Sequence, residues 1–294
     1  SLPESKINIS EALISQDIEQ LKVLIHKLNG ACCYSGVPSL GKVTHELETE
    51  LKHLNTEYHQ AAAAFNPWYS GPLLTPSAHC VPPGKFNVQP YWFYNRINST
   101  FDATEKKVPS ISTTQHVVQA VIQAGLVERL DFSLIVGTQV THQNGETKAG
   151  YQGMITDLGF QVLSEGHFRP AIRMVAGITF PAGRYRHLNP TLNAIDASGG
   201  GAYAANVGIV MSKVVWWLTP HPFQYRFSCQ YTMPGDARVE GFHAYGGGFG
   251  TKGRVDIGKS LNALSSFEYS LTKQWVFALD FAFNYHNKST FKGT

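Results

Sequence analysis

Charge is scarce in this sequence. Only 15% of its 294 residues are Asp, Glu, Lys or Arg, against roughly 25% in an ordinary soluble domain. The formal net charge of +3 is small, and the basic residues form no long run, so nucleic acid is excluded as a partner. No stretch reaches the roughly 18 consecutive apolar residues of a membrane helix, so any membrane reading has to rest on strands. A basic segment followed by an apolar core, the mark of a secretory leader, is missing as well. Cys32, Cys33, Cys80 and Cys229 lack zinc-type spacing and read as ordinary small residues. With Ser1 at one end and the loop-like Lys292-Gly293-Thr294 at the other, the expectation is a fragment or a rearranged product.

What is abundant points to β structure: aromatics make up 12% of the chain and glycines number 27. The composition changes near residue 60. Up to His59 the sequence is rich in Leu, Glu, Lys and His; after Ala61-Ala62-Ala63-Ala64 it turns to Gly, Pro, Tyr, Phe and Trp. We therefore divide the chain into a helical module, residues 1–60, and a β module, residues 61–294.

In the helical module Ile18, Leu21, Ile25 and Leu28 recur at three- and four-residue steps, so they share one face of a helix that Asp17 can cap. Leu40, Val43, Leu47, Leu51 and Leu54 do the same in a second helix, with Pro38 in its first turn, where the missing N–H costs nothing. Two such helices joined by a short turn make a hairpin whose apolar faces need partners. Only Ser10 to Ile14 hints at another helix, so the bundle reads as incomplete.

In the β module Phe223–Met233 places apolar or aromatic residues at every odd position and polar ones, Arg226 among them, at every even one. The alternation returns from Trp275 to Tyr285, and more weakly at Leu130–Val136 and Ile172–Phe180. Turn signals such as Asn144-Gly145 and Pro234-Gly235-Asp236 separate the strands. Short turns at one end and a long connection from Pro181 to Gly201 at the other predict an antiparallel transmembrane-type β-barrel; a soluble β-sandwich is the alternative. The nine or ten strand candidates leave at least one pair missing from an even-numbered barrel. On this reading the polar positions Gln224, Arg226, Ser228, Gln230, Glu268 and Asp280 line the lumen. They serve either a water-filled or small-solute path or the filling of the barrel by hydrogen bonds and ion pairs.

His26 falls about 100° around the first helix from Ile25, so it should be partly exposed. A neutral imidazole can attack phosphorus, Lys27 beside it would stabilise an added phosphoryl group, and Gly30 on the same face leaves room for a partner's active site. The run His26-Lys27-Leu28-Asn29-Gly30, then Tyr34-Ser35-Gly36-Val37, Leu40 and Leu47-Glu48, resembles the signature of histidine phosphotransfer (HPt) domains. The Gly30–Pro38 spelling is especially similar to the one ending tripartite hybrid sensor kinases of Gram-negative bacteria. The resemblance covers residues 10–58. It implies that His26 is the phosphoacceptor, supported by Lys27 and Gly30, in a four-helix bundle that exchanges phosphoryl groups with aspartates of response-regulator receiver domains. It implies no cofactor here, since magnesium would belong to the receiver. The family's last two helices should follow Leu54, where this sequence instead turns to Ala61 and Phe65-Asn66-Pro67-Trp68.

Phe65–Leu74, Pro83-Gly84, Phe180-Pro181-Ala182-Gly183-Arg184-Tyr185, Tyr245-Gly246-Gly247-Gly248 and Glu268–Thr272 look like a family of bacterial outer-membrane proteins described as transporters. That family is similar to outer-membrane proteins of phenol meta-pathway and related aromatic-degradation systems. The resemblance spans residues 65–285 and implies an outer-membrane lipid environment.

Other motifs fail. Gly246–Lys252 lacks the Gly-Lys step of a phosphate loop, the histidines have no metal-ligand spacing, and Asp131, Asp157 and Glu268 have no spacing that recommends a glycosidase. The sequence thus describes a phosphoryl carrier joined to a membrane channel, not an enzyme, with the barrel module alone as the second reading. A phosphorelay needs cytoplasmic partners whereas the barrel belongs in the outer membrane, so the expectation is a fusion made by rearrangement.

Overall fold

The computed structural model describes residues 8–9, 12, 18–35, 38–63, 74–102, 104–217, 221–272 and 275–294, with only the backbone of residues 32–35 and 38. Asp17, Gly36-Val37 and Phe65–Leu73, all used above, lie outside the described residues. Within Ser10–Ile14, Ala12 is described and helical, as are Asn8 and Ile9.

Two helices form the hairpin, α1 (Ile18–Ser35) and α2 (Pro38–Ala62). The second runs two residues past the boundary drawn after residue 60. Ile18, Leu21 and Ile25 of α1 and Leu51 of α2 make a small core with Ala12, and Ile9 and Leu24 pack against it. Each such Leu or Ile contributes about 1.5–3 kcal/mol by leaving water. The predicted stripe of α2 is only partly covered among the described residues, with Val43 58% and Leu47 39% exposed. The face of α2 turned to α1 carries Thr44, Glu48 and Leu51, all buried. A two-helix hairpin has a single inner face, so the second apolar row of α2 is left exposed among the described residues.

The rest of the chain is one long antiparallel meander, in which the strands are β1 (Phe86–Phe101), β2 (Lys107–Val127), β3 (Leu130–Gln143), β4 (Glu146–Tyr151), β5 (Met154–Leu163), β6 (Ala171–Phe180), β7 (Ala204–Val215), β8 (Phe223–Pro234), β9 (Asp236–Glu240), β10 (Lys252–Asp256), β11 (Ser260–Ser270), β12 (Val276–His286) and β13 (Thr290–Gly293). The main sheet follows the order β1-β2-β3-β5-β6-β7-β8-β11-β12, with β4 continuing β5 along the other half of β3. A bulge at Gln152-Gly153 separates those two halves, since three residues there oppose two on β3. A small sheet, β9-β10-β13, extends β8, β11 and β12 beyond their bends at Gly235, Gly258 and Asn287.

The polarity of this sheet is inverted relative to a soluble protein. Large exposed side chains on the convex face are apolar: Trp92, Val118, Phe160, Met174, Ile209, Phe267, Phe277 and Phe281. Buried positions on the concave face are polar or charged: Asp131, Ser133, Arg173, Asn206, Ser212, Gln224, Arg226, Ser266 and Glu268. Water outside and a fatty core inside would select the opposite arrangement; lipid outside and a polar interior select this one. The β-sandwich alternative is thereby set aside, because no second sheet covers the apolar side. No helix among the described residues is long and apolar enough to cross a membrane, so strands carry the membrane character.

Among the described residues the curled sheet does not close. Every neighbouring pair along its path is antiparallel, so β1 and β12, first and ninth on that path, run in the same direction and have no pairing with each other. Pro90, which has no N–H to give to a ladder, lies in edge strand β1. Inside the curl runs an extended strap, Leu74–Val81. It buries Thr75, Ala78 and Val81 against the concave face.

Candidate functional site

The helical module presents His26 on the outer side of α1, its side chain 75% exposed. Its Nδ1 lies 2.9 Å from Glu48 Oε1, a contact that fixes the ring across the hairpin. With the Nδ1–H donated to a carboxylate, the lone pair resides on Nε2, the ring atom free to act as nucleophile. Glu48 is buried and fully occupied. Lys52 Nζ lies 2.7 Å from Oε1, Asn29 Nδ2 donates to Oε2 at 3.1 Å, and Thr44 Oγ1 stands 3.2 Å from Asn29 Oδ1. The Lys52 ammonium, then the Asn29 amide and the His26 ring, hold the Glu48 carboxyl down at about 2.

That depression has a sign. A carboxyl whose folded value lies below its unfolded one, ordinarily about 4.3, stabilises the fold fully above the unfolded value. The contribution disappears as pH falls towards 2. The melting temperature of the helical signal should therefore fall between about pH 4.3 and 2, and Glu48→Gln should remove that acid dependence. A titration identical in both proteins would contradict it.

Lys27 is exposed one residue on. A side chain added at Gly30 would meet nothing within 4 Å, yet glycine inside a helix costs about 1 kcal/mol relative to alanine. No packing among the described residues asks for it. The Leu47-Glu48 part of the sequence match assigns Glu48 no task. The available signal was Thr44, Glu48 and Leu51 at helical spacing, a polar pair in line with a buried leucine.

In the β module the predicted lumen residues do face inward, but their setting is mostly closed. Gln224, Arg226 and Glu268 are fully buried. Arg226 Nε lies 2.6 Å from Glu268 Oε1, and Arg226 Nη2 donates to Gln224 at 3.2 Å. Asp280 accepts the backbone N–H of Thr75 at 3.3 Å and its hydroxyl at 2.7 Å, so it holds the strap. Of the predicted set, Arg226, Ser228 and Gln230 line a cavity of about 350 Å³ under the strap. Gln224, Glu268 and Asp280 are each engaged in ion pairs or hydrogen bonds, Asp280 with the strap itself.

A second buried pair, Arg173 with Asp131, was not foreseen. Asp131 also receives the Val81 N–H at 3.2 Å. The Arg173 guanidinium lies against Gly159, where any Cβ would collide with it, so this strand glycine creates the space for a buried cation. The Ala78 N–H reaches Ser212 Oγ at 3.0 Å, and His79 Nε2 lies 3.2 Å from Glu165 Oε2. Glu165 also holds Lys213 Nζ at 3.1 Å. The strap is thus tied to β3, β7, β12 and the β5–β6 connection.

The two modules touch at the short-turn end of the sheet. His167 Nε2 and Asn55 Oδ1 are 2.8 Å apart, the Tyr58 and His167 rings lie 4.4 Å apart, and Ala61 packs with Val214 and Trp216.

Comparison with known proteins separates the modules in the same way. Residues 1–66 match the Hpt domain family. Over 51 residues the chain is 41% identical to the signal transduction histidine-protein kinase BarA of Escherichia coli K12, and equally to that of strain O157:H7. The matched stretch is 17% of this chain and 6% of each kinase, so the chain spans a small part of those relatives. Among solved structures, an outer-membrane channel from Pseudomonas putida F1 superposes with a TM-score of 0.56 at 14% identity, covering 76% of this chain and 79% of that one. Residues 1–66 are thus similar to Hpt domains, and the curled antiparallel sheet that follows has a fold similar to that of the Pseudomonas channel.

Proposed function

We propose that the β module is the wall of an outer-membrane channel with a transport role. The inverted polarity carries this reading, since an apolar convex band and a charged concave face suit lipid on one side and a solute space on the other. Outer-membrane lipid is then the partner of Trp92, Phe277, Phe281 and their neighbours. The full chain folded in detergent should show β-rich circular dichroism and migrate faster unheated than boiled. In planar bilayers it should give discrete conductance steps. A fold that forms and persists without detergent would overturn the proposal.

A second activity is favoured by one contact, His26 Nδ1 to Glu48. In this reading His26 accepts a phosphoryl group on Nε2 from the aspartate of a response-regulator receiver domain and passes it on. The receiver supplies the magnesium and most of the charge stabilisation. Lys27 screens the new charge and Gly30 admits the partner. Such partners are cytoplasmic, whereas the helices sit at the short-turn end of the sheet, the periplasmic end of an inserted barrel. Phosphotransfer then belongs to the chain outside the outer membrane. A barrel-only role, with the helical module inactive, is what remains where His26 takes no label.

A further inference from the structure

We infer that the cavity under the strap binds a small organic cation. The charges on the concave face around it are unequal: Asp131, Asp157, Glu268 and Asp280 are carboxylates, and Arg173 and Arg226 are the guanidiniums. Arg173 is committed to Asp131 and Arg226 to Glu268. Asp280 takes the N–H and hydroxyl of Thr75. That leaves Asp157, 9% exposed, lining the cavity, with a buried Oδ1 that has no hydrogen-bond partner among the described residues.

Burying an unpaired carboxylate is costly, and native proteins keep one where a cation or donor arrives to meet it. Gly177 makes the site possible, because a Cβ there would collide with Asp157 Oδ1. Arg226 Nη1 and Arg173 Nε also lack acceptors, but both guanidiniums already have a carboxylate. The concave face around the cavity is therefore net negative, four carboxylates to two guanidiniums, and it stays so with Asp157 protonated, when three carboxylates still face two guanidiniums. The remaining wall suits the body of such a ligand. Tyr91 and Phe93, with centroids 5.9 Å apart and planes at 7°, present aromatic rings that attract cations. Val121, Ile135 and Val175 supply apolar surface. At about 350 Å³ the space is of the size that takes small molecules, roughly 300–1,000 Å³.

The inference rests on the barrel reading, which encloses the cavity, and the test separates the two. The full chain folded in detergent, with its heat-modifiable migration checked first, is titrated calorimetrically with cyclohexylammonium, cyclohexanol and cyclohexanecarboxylate. These probes share a body and differ in charge. The ammonium should bind at least about tenfold more tightly than the alcohol, with the carboxylate weakest, and Asp157→Asn should bring ammonium and alcohol together. Equal binding of the three probes by a heat-modifiable barrel, a preference for the carboxylate, or an ammonium preference that survives Asp157→Asn overturns the inference alone. A chain that shows no heat-modifiable fold removes the barrel reading and this one with it. The probe series on the unsubstituted chain decides the matter even where Asp157→Asn fails to fold.

Discussion

Incubated with a phosphorylated receiver domain, the full chain should acquire acid-labile, base-stable phosphate, and His26→Gln should acquire none. Glutamine keeps the size and a hydrogen-bonding end, and α1 buries Ile18, Leu21 and Ile25 but not position 26, so the fold is retained and the loss is chemical. Glu48 should behave differently. It does not touch phosphorus; it accepts the Nδ1–H and so keeps the lone pair on Nε2. Glu48→Ala removes that acceptor and should slow transfer roughly 10- to 100-fold through misplacement of the ring. Glu48→Gln restores an acceptor oxygen and should recover much of the rate. Equal labelling of His26→Gln and the parent would end the phosphoacceptor reading, and equal rates for the two Glu48 variants would deny that carboxylate its positioning role.

How much of this was legible depended on whether one physical pattern governed a segment. In β8 and β12 large apolar residues take one face and small or polar ones the other, so Phe223–Met233 and Phe277–Tyr285 alternate cleanly and the alternation marks those strands almost residue for residue. In β2 and β7 the rule blurs. Val117 and Val121 of β2 point inward, Val121 into the cavity. In β7, Val210 packs inward against Ala78 of the strap. Apolar residues on both faces erase the period-two signal. The strap itself, Leu74–Val81, has no periodicity, and its place is set by Asp280, Ser212 and Asp131, groups 50 to 206 residues away along the chain. Local patterns do not encode such contacts. His26 was visible because its neighbours in sequence carry the signature, whereas the pairing with Glu48 needed the hairpin to bring the two together across 22 residues. The open row of Val43 and Leu47 makes a related point, since amphipathic spacing shows that a helix has an apolar face but not whether the chain supplies its cover.

The other large effect lies at the buried pair. Arg226 is fully enclosed, 2.6 Å from Glu268, where water cannot solvate either charge once its partner is removed. Arg226→Met keeps the length of the side chain but leaves Glu268 an uncompensated buried carboxylate, which should cost about 3–5 kcal/mol, measured by urea unfolding of the detergent-folded barrel. Glu268→Gln in the same chain removes that orphan charge, so the double variant should regain most of the loss, because the pair as a whole contributes little once desolvation is set against attraction. The comparison also separates the two readings of the inward polar residues. If they fill the barrel, the single variant unfolds early and the double variant does not. A single variant as stable as the parent would mean that water reaches Glu268 after all, and the interior around Gln224 and Arg226 would then be an open path.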